Sequence, residues 1–337
     1  MKDISNYSLL RHNTFGIEAS CSRFVEFASV EEGLQVADLV RREDMPFLII
    51  GGGSNLLLTR NFNGIVLRSA ISDIAVQTFS NHSLVRVGSG MEWDGFVSWC
   101  IDHNLYGAEN LSLIPGDVGA SAVQNIGAYG AEACDIIDKV EAIRIADGKL
   151  VEICAEDCAY GYRQSRFKHE WKNRYLITHV VFRLSNDFSP RLDYGNLRAE
   201  LQQQGIDQPT ARQLRSVIID VRRRKLPDPH VLGNAGSFFM NPVVGRAKYE
   251  QLHREYPQMP HYSIDDQHEK IPAGWLIEQT GWKGRSMGRA GVHDKQALVL
   301  VNLGGATGAE VVALCNAVRH DVQQKFGITI EPEVNIV

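Results

Sequence analysis

Apolar and polar positions fall into two periods that alternate along the chain. Residues 47–50 are an unbroken apolar run, Phe47-Leu48-Ile49-Ile50, stopping at Gly51-Gly52-Gly53. That pattern predicts a buried strand running into a tight turn. Ile65-Val66-Leu67 and Leu84-Val85-Arg86-Val87 predict two more strands, residues 140–153 a hairpin turning at Asp147-Gly148, and 175–184 another strand. Helical spacing predicts a helix over 93–103, with Trp93, Phe96, Val97 and Cys100 on one face, and another over 211–224 through Leu214, Val217, Ile218 and Val221. The second ends in Arg222-Arg223-Arg224-Lys225, and Pro227 and Pro229 break the chain there, so a domain boundary is expected near 227. Pro272, a favoured first-turn residue, opens a helix ending near Gly281. The capping box Thr307-Gly308-Ala309-Glu310 opens a helix to about 326, with Val311, Leu314, Cys315, Val318 and Val322 on its apolar face. A last strand at 328–330 leads into Glu331-Pro332-Glu333-Val334 and needs a partner sheet, for which the N-terminal part of the chain is the expected host. Strand-like and helix-like stretches alternate, so the class is mixed α and β.

Composition narrows the class. At roughly 150 residues per domain, 337 residues make two or three domains, long enough to fold without disulfides or metal. The apolar share of 44% excludes a disordered chain. A net charge of -5 marks no nucleic-acid binder. No apolar run approaches a membrane span, and Met1 to Asn6 lack the apolar core of a signal peptide. The six cysteines, at 21, 100, 134, 154, 158 and 315, form no two-residue-spaced pair and read as reduced thiols of a cytoplasmic protein. No metal site is expected, because the one zincin-like start, His169-Glu170, has Asn173 where the second histidine belongs.

The informative segments are rich in small residues. Gly51-Gly52-Gly53-Ser54-Asn55 is not a dinucleotide fingerprint, because Leu56 occupies the third glycine's place, and no P-loop or hydrolase elbow is present. Successive glycines after a buried strand do let several N–H groups converge on one anion, with Ser54 and Asn55 adding side-chain donors. Ile114 to Ser121, stiffened by Pro115 and opened by Gly116, is a second such nest. Two nests suit a pyrophosphate held from two sides. Gln124 to Gly130 extends the surface, with Asn125 able to read a ring edge and Tyr129 able to line a site. Arg163, in Tyr162-Arg163-Gln164, can clamp a carboxylate bidentately, although most such aromatic and cationic runs are solvated charged loops. Ser237, between Gly236 and Phe238-Phe239, has no general base nearby in sequence, so it does not read as a nucleophile, though its hydroxyl can still donate a proton.

Taken in order, these segments resemble the UDP-N-acetylenolpyruvoylglucosamine reductase (MurB) family, in its type I form. The matching motifs run from Asn13-Thr14-Phe15-Gly16 to Glu331-Pro332-Glu333-Val334, with Gly127-Ala128-Tyr129-Gly130, Leu226-Pro227-Asp228-Pro229 and Gly236-Ser237-Phe238-Phe239 among those between. The resemblance implies the FAD-binding fold of vanillyl-alcohol-oxidase (PCMH) type with a separate C-terminal α+β substrate domain. It implies residues 1–70 as a first FAD-binding subdomain completed by 327–337, residues 71–226 as a second, and 227–326 as the substrate domain. It implies non-covalent FAD, NADPH as hydride donor, and reduction of the enolpyruvyl ether of UDP-N-acetylglucosamine-enolpyruvate to UDP-N-acetylmuramate; a monomer with no membrane or nucleic-acid partner is expected. Hydride addition at carbon 3 leaves negative charge on carbon 2 and its carboxylate, which calls for polar groups there and a proton donor.

Residue by residue, the resemblance makes Arg163 and Glu333 the groups at the developing enolate and Ser237 the proton donor. It gives Tyr129, Tyr162, Tyr194, Lys225, Asn241, Lys283 and Gln296 to substrate or NADPH. It gives Gly51, Gly52, Gly53, Ser54, Asn55, Pro115, Gly116, Ala120, Ser121, Asn125, Gly127 and Ile177 to the cofactor. Tyr194 lies in a polar segment that resembles the family's loop over the substrate diphosphate. Met240 and Ala120 depart from residues common in the family, a lysine and a glycine. Two rivals stand beside this reading: another FAD-dependent enzyme of the same fold, and a nucleotide-sugar-binding protein without chemistry. No histidine lies between Gly51 and Arg60 to tether a flavin, and mere binding does not need Arg163, Ser237 and Glu333 together.

Overall fold

The computed structural model describes all residues, Met1–Val337. The chain divides into two compact units. The first comprises Met1–Tyr7, Cys21–Gly52 and Phe62–Arg224; the second comprises Ser8–Ser20, Gly53–Asn61 and Lys225–Val337.

Two sheets build the first unit. One has four strands in the order Lys2–Ser8, Ser20–Phe27, Phe62–Ser69, Phe47–Ile50. Its last three strands are parallel, with Phe24 opposite Val66 and Leu48 opposite Val66 on the other side. The Val30–Arg42 helix packs Val36, Ala37 and Val40 into a core with Ile65, Leu67 and Ile143. Ser29 caps that helix by accepting from Glu32 N–H. The other sheet is antiparallel, in the order Lys149–Cys154, Ile137–Arg144, Tyr175–Ser185, His82–Gly88, Ile74–Thr78. The hairpin turns through Gly148 at φ +70°, as Asp147-Gly148 predicts. Against this sheet the Trp93–Asp102 helix buries Trp93, Phe96, Val97 and Cys100, with the Trp93, Phe96 and Phe182 rings in mutual contact. The Ala211–Lys225 helix buries Leu214, Val217, Ile218 and Val221 against Leu192, Leu197 and Leu201.

In the second unit an antiparallel sheet runs Asn234–Ser237, Val299–Asn302, Ala290–Val292, Ser286–Met287. The Gly308–Phe326 helix covers it, opened by the reciprocal Thr307–Glu310 capping box that the sequence predicts. Pro272 is the cap of the Ala273–Gln279 helix rather than its first-turn residue.

Two expectations change. Residues 328–330 form no strand; Ile328 and Ile330 are buried, while Arg319 donates to the Ile330 carbonyl at 2.8 Å. The terminal ladder is instead Asn335–Ile336, parallel to Leu56–Leu57 within the second unit. Within the small-residue segment 114–131, Val118–Gln124 is a helix. Gly119 is small enough to sit on Ser89: a Cβ there would lie 2.8 Å from the Ser89 Cβ.

Candidate active site

The first unit holds Gly51, Gly52 and the second small-residue segment side by side. A Cβ on Gly52 would lie 3.1 Å from Asp117 Oδ1 and 3.3 Å from Gly116 Cα; one on Gly51 would lie 3.2 Å from the Ala120 Cβ. Backbone bonds hold this arrangement, with Trp93 N–H donating to the Gly116 carbonyl, Val118 N–H to Met91 and Gly119 N–H to Ser89. Pro115 precedes Gly116, which adopts φ +123°. The result is a narrow cradle of bare backbone that any side chain at Gly51 or Gly52 would fill, and it fits the pyrophosphate of a dinucleotide such as FAD. Asp117 lies in this cradle, only 7% exposed. Its Oδ2 accepts no hydrogen bond, and Arg68 is 3.7 Å away. Burial pushes its carboxyl up to about 6.

Other expected cofactor residues are committed to the fold. Ser121 Oγ donates to the Val118 carbonyl at 2.6 Å. Asn125, in the left-handed region at φ 46°, donates to Glu132 and to the Gly161 carbonyl and accepts from Cys134 N–H. It thereby ties 125–134 to the loop that carries Arg163. The Ile177 carbonyl accepts from Ser89 Oγ at 2.7 Å.

Arg163 sits in a tight turn closed by reciprocal Gly161–Gln164 backbone bonds, at φ +58°. A non-glycine residue in that region is strained, a feature that clusters at functional sites. Its Nη2 donates to the Gly127 carbonyl at 2.7 Å, and its guanidinium lies 5.7 Å from the Tyr162 ring centre. Arg163, Asn125 and Gly127 are therefore one cluster. Tyr129 follows at φ +49°, with its carbonyl accepting from Asn110 at 2.8 Å and its ring packed against the 192–221 leucine-rich cluster. Tyr194 rests on Gly130, where a Cβ would lie 3.0 Å from the Tyr194 Cβ. Burial raises the Tyr129 hydroxyl, and nearby Arg222 opposes it. Arg222 Nε is buried without a hydrogen-bond partner. Arg222 and Asp117 are the residues that sequence reasoning missed: one stands in a basic run, the other among small residues.

The second unit holds the remaining groups. Gly53, at φ +71°, turns so closely past His12 that a Cβ would meet its carbonyl oxygen at 2.0 Å, and Ser54 and Asn55 follow. Asn55 donates to the Glu333 carbonyl at 3.2 Å, and its own carbonyl accepts from Asn335 N–H at 3.1 Å. The sequence assigns Asn55 to a cofactor; here it also fastens the C-terminal segment. Ser237 ends the Asn234–Ser237 strand, paired with Val299 across a bulge formed at Gly236, φ +68°. Glu333 N–H donates to the Phe238 carbonyl at 2.8 Å, Met240 N–H donates to the Glu331 carbonyl at 2.9 Å, and Phe239 bridges Pro332. Ser237 and Glu333 thus come from adjoining extended segments. Asn241 accepts from Ala273 N–H at 2.9 Å. Gln296 Oε1 lies 3.4 Å from a Cβ placed on Gly274, in the helix that follows Pro272. Lys283 pairs with Glu278 at 2.9 Å, and Lys225 ends its helix in solvent.

Comparison with known proteins places these features in a class and then in a family. Residues 21–153 match the FAD binding domain family, which identifies the class: proteins with a flavin-binding domain. Residues 228–337 match the UDP-N-acetylenolpyruvoylglucosamine reductase, C-terminal domain. The chain is 54% identical over 333 residues to UDP-N-acetylenolpyruvoylglucosamine reductase of Bacteroides fragilis (strain YCH46), covering 98% of this chain and 99% of that one. It is 46% identical to the enzyme of the same name from Pseudomonas aeruginosa, covering 98% and 97%. The crystal structure of MurB from Thermus caldophilus superposes with a TM-score of 0.68 at 22% identity, covering 99% of this chain and 98% of that one, and shares its fold. The chain belongs to the UDP-N-acetylenolpyruvoylglucosamine reductase family.

Proposed function

We propose that this protein is an FAD-dependent oxidoreductase that uses NADPH to reduce the enolpyruvyl ether of UDP-N-acetylglucosamine-enolpyruvate to UDP-N-acetylmuramate, a step of peptidoglycan precursor synthesis. Its 54% identity to a named reductase over nearly its whole length supports this reading. Bound FAD would supply the hydride-transfer chemistry that links NADPH to the substrate. Gly51, Gly52, Pro115, Gly116 and Ala120 would hold its pyrophosphate in the narrow cradle they form.

The chain's own groups then have distinct tasks. Arg163 neutralises the substrate carboxylate as charge develops there; its strained turn holds the guanidinium in place before substrate arrives. Glu333 acts at the same developing enolate, and Ser237 delivers the proton to carbon 2. The observation that carries this assignment is the Phe238–Glu333 backbone bond, which keeps Ser237 and Glu333 in adjoining segments. Tyr194 and Lys225 take the diphosphate, with Tyr129, Tyr162, Asn241, Lys283 and Gln296 completing substrate and NADPH contacts. The three-part division at 70 and 226, with 327–337 returning to the flavin part, is our functional partition. We place the protein in the cytoplasm as a monomer without nucleic-acid or membrane partners, serving cell-wall synthesis and through it cell shape, division and the cell cycle. No helix is long and apolar enough to cross a membrane.

The test is product identity. Purified protein with NADPH and the enolpyruvyl substrate should yield UDP-N-acetylmuramate, read by mass spectrometry, with one NADPH consumed per product. NADPH consumption that is independent of the enolpyruvyl substrate would refute the proposal.

A further inference from the structure

Asp117 is a problem in the cradle as it stands. A pyrophosphate is an anion, and a carboxylate within the same turn of backbone would repel it. Yet the carboxyl lies directly against Gly51 and Gly52, 3.5 Å and 3.1 Å from where their Cβ atoms would be. It does not cap the Val118–Gln124 helix that follows it. Buried polar atoms without a partner are few in folded proteins, and each asks for an explanation.

The surroundings do not neutralise it. Arg68, on the Phe62–Ser69 strand, is the one cation near it, at 3.7 Å, and that guanidinium is already bonded to Glu26 of the neighbouring strand at 2.7 Å. Glu92, just before the Trp93–Asp102 helix, faces Asp117 across a backbone bridge and adds a like charge. The Val118–Gln124 helix and the Gly51-Gly52 turn bring no charged group. Burial and Glu92 therefore favour the neutral acid, and Arg68 alone opposes it.

We propose that Asp117 belongs to the dinucleotide site and works there as the protonated acid, its hydroxyl donating a hydrogen bond to a pyrophosphate oxygen, so that a proton is taken up as the dinucleotide binds. The proposal rests on the flavin reading above. The proton comes from solvent and stays on the carboxyl; no other bond changes. Without ligand the carboxyl titrates at about 6. The pyrophosphate charge moves it higher in the bound state, which is the linkage.

The experiment dilutes the purified flavoprotein at a series of pH values and reads released FAD by its fluorescence. Below about pH 6 the dissociation constant should be flat; above it, the constant should rise about tenfold for each pH unit until the bound-state value is reached. Asp117→Asn keeps a donor that cannot ionise, so its affinity should match wild type in acid and lose the pH slope. Calorimetry of FAD rebinding to the wild-type chain, in two buffers of different ionisation enthalpy, should register proton uptake at mildly alkaline pH whatever the variant does. A flat wild-type profile, an affinity that rises with pH, or the same slope in Asp117→Asn would overturn the role of Asp117 while leaving the flavin reading intact. Failure to hold FAD at any pH would overturn both.

Discussion

Ser237→Ala separates the chemistry of the site from its architecture. Ser237 Oγ makes no hydrogen bond within the fold, and the residue is half-buried at the end of its strand. Its removal therefore orphans no protein group and opens no core cavity, so the stability change should stay within about 0.5 kcal/mol. The catalytic cost is different in kind. A serine hydroxyl is a poor acid in water and can protonate only a strongly basic centre, which the carbon left by hydride addition is. Proton donation by a positioned group typically contributes ~10²–10⁴-fold, and only the substrate half-reaction has such a centre. Stopped-flow absorbance at the flavin band measures the halves separately. Bleaching by NADPH should proceed near the wild-type rate, recovery on adding enolpyruvyl substrate should slow by ~10²–10⁴-fold, and Ser237→Cys should regain part of the loss. Equal slowing of both halves, with an unchanged melting temperature, would refute the proton-donor role and make Ser237 a support of the site as a whole.

Other perturbations test other parts. Tyr194→Phe should weaken binding of the UDP substrate by about 0.5–1.5 kcal/mol, the value of one hydrogen bond, with no change in melting temperature because the ring is exposed; unchanged kinetics would remove Tyr194 from the site. Deletion of 331–337 removes Glu333 and the backbone bonds to Phe238 and Met240 and should abolish reductase activity; normal turnover in a folded truncation would dismiss Glu333. Burial alone would raise the Asp94 carboxyl, but paired bonds from Arg215 at 2.6 and 3.0 Å and the Leu113 N–H outweigh it and hold it below its usual value. A depressed carboxylate contributes stability above its unfolded value and loses it as pH falls through the folded one. Asp94→Asn should therefore cost about 1 kcal/mol in urea unfolding at neutral pH, a charge-assisted bond discounted for partial exposure, shrinking as the pH drops below the ordinary carboxylate range of about 4; a cost independent of pH would remove the charge argument.

Elements with strong apolar periodicity were legible in the sequence. The Ala211–Lys225 and Gly308–Phe326 helices show their buried faces and their stop or start signals in the residues themselves. Lys2–Ser8 is an exposed, polar edge strand, and nothing in Lys-Asp-Ile-Ser-Asn-Tyr-Ser alternates clearly. Val118–Gln124 consists mostly of small residues, so its helical packing on Ser89 leaves no periodic trace. The expected strand at 328–330 has apolar residues at alternate positions because Ile328 and Ile330 are buried, yet burial without a ladder partner gives the same pattern. For the site, glycines betrayed the 51–55 turn and the 115–121 segment, but not that Gly51 and Gly52 pack against Gly116, Asp117 and Ala120. That meeting depends on long-range packing, as does the register that sets Glu333 beside Phe238. Asp117 could not be found from sequence, because a single acid among small residues looks like any solvated helix start.

The most direct measurement is the absorbance spectrum of the purified protein under anaerobic conditions, first alone, then with NADPH, then with UDP-N-acetylglucosamine-enolpyruvate. An FAD-dependent reductase of this substrate should show an oxidised flavin spectrum, bleaching by NADPH, and return of the oxidised spectrum when the enolpyruvyl substrate is added. A colourless protein that cannot be reconstituted with FAD, or a bleached one that the substrate leaves bleached, would contradict it.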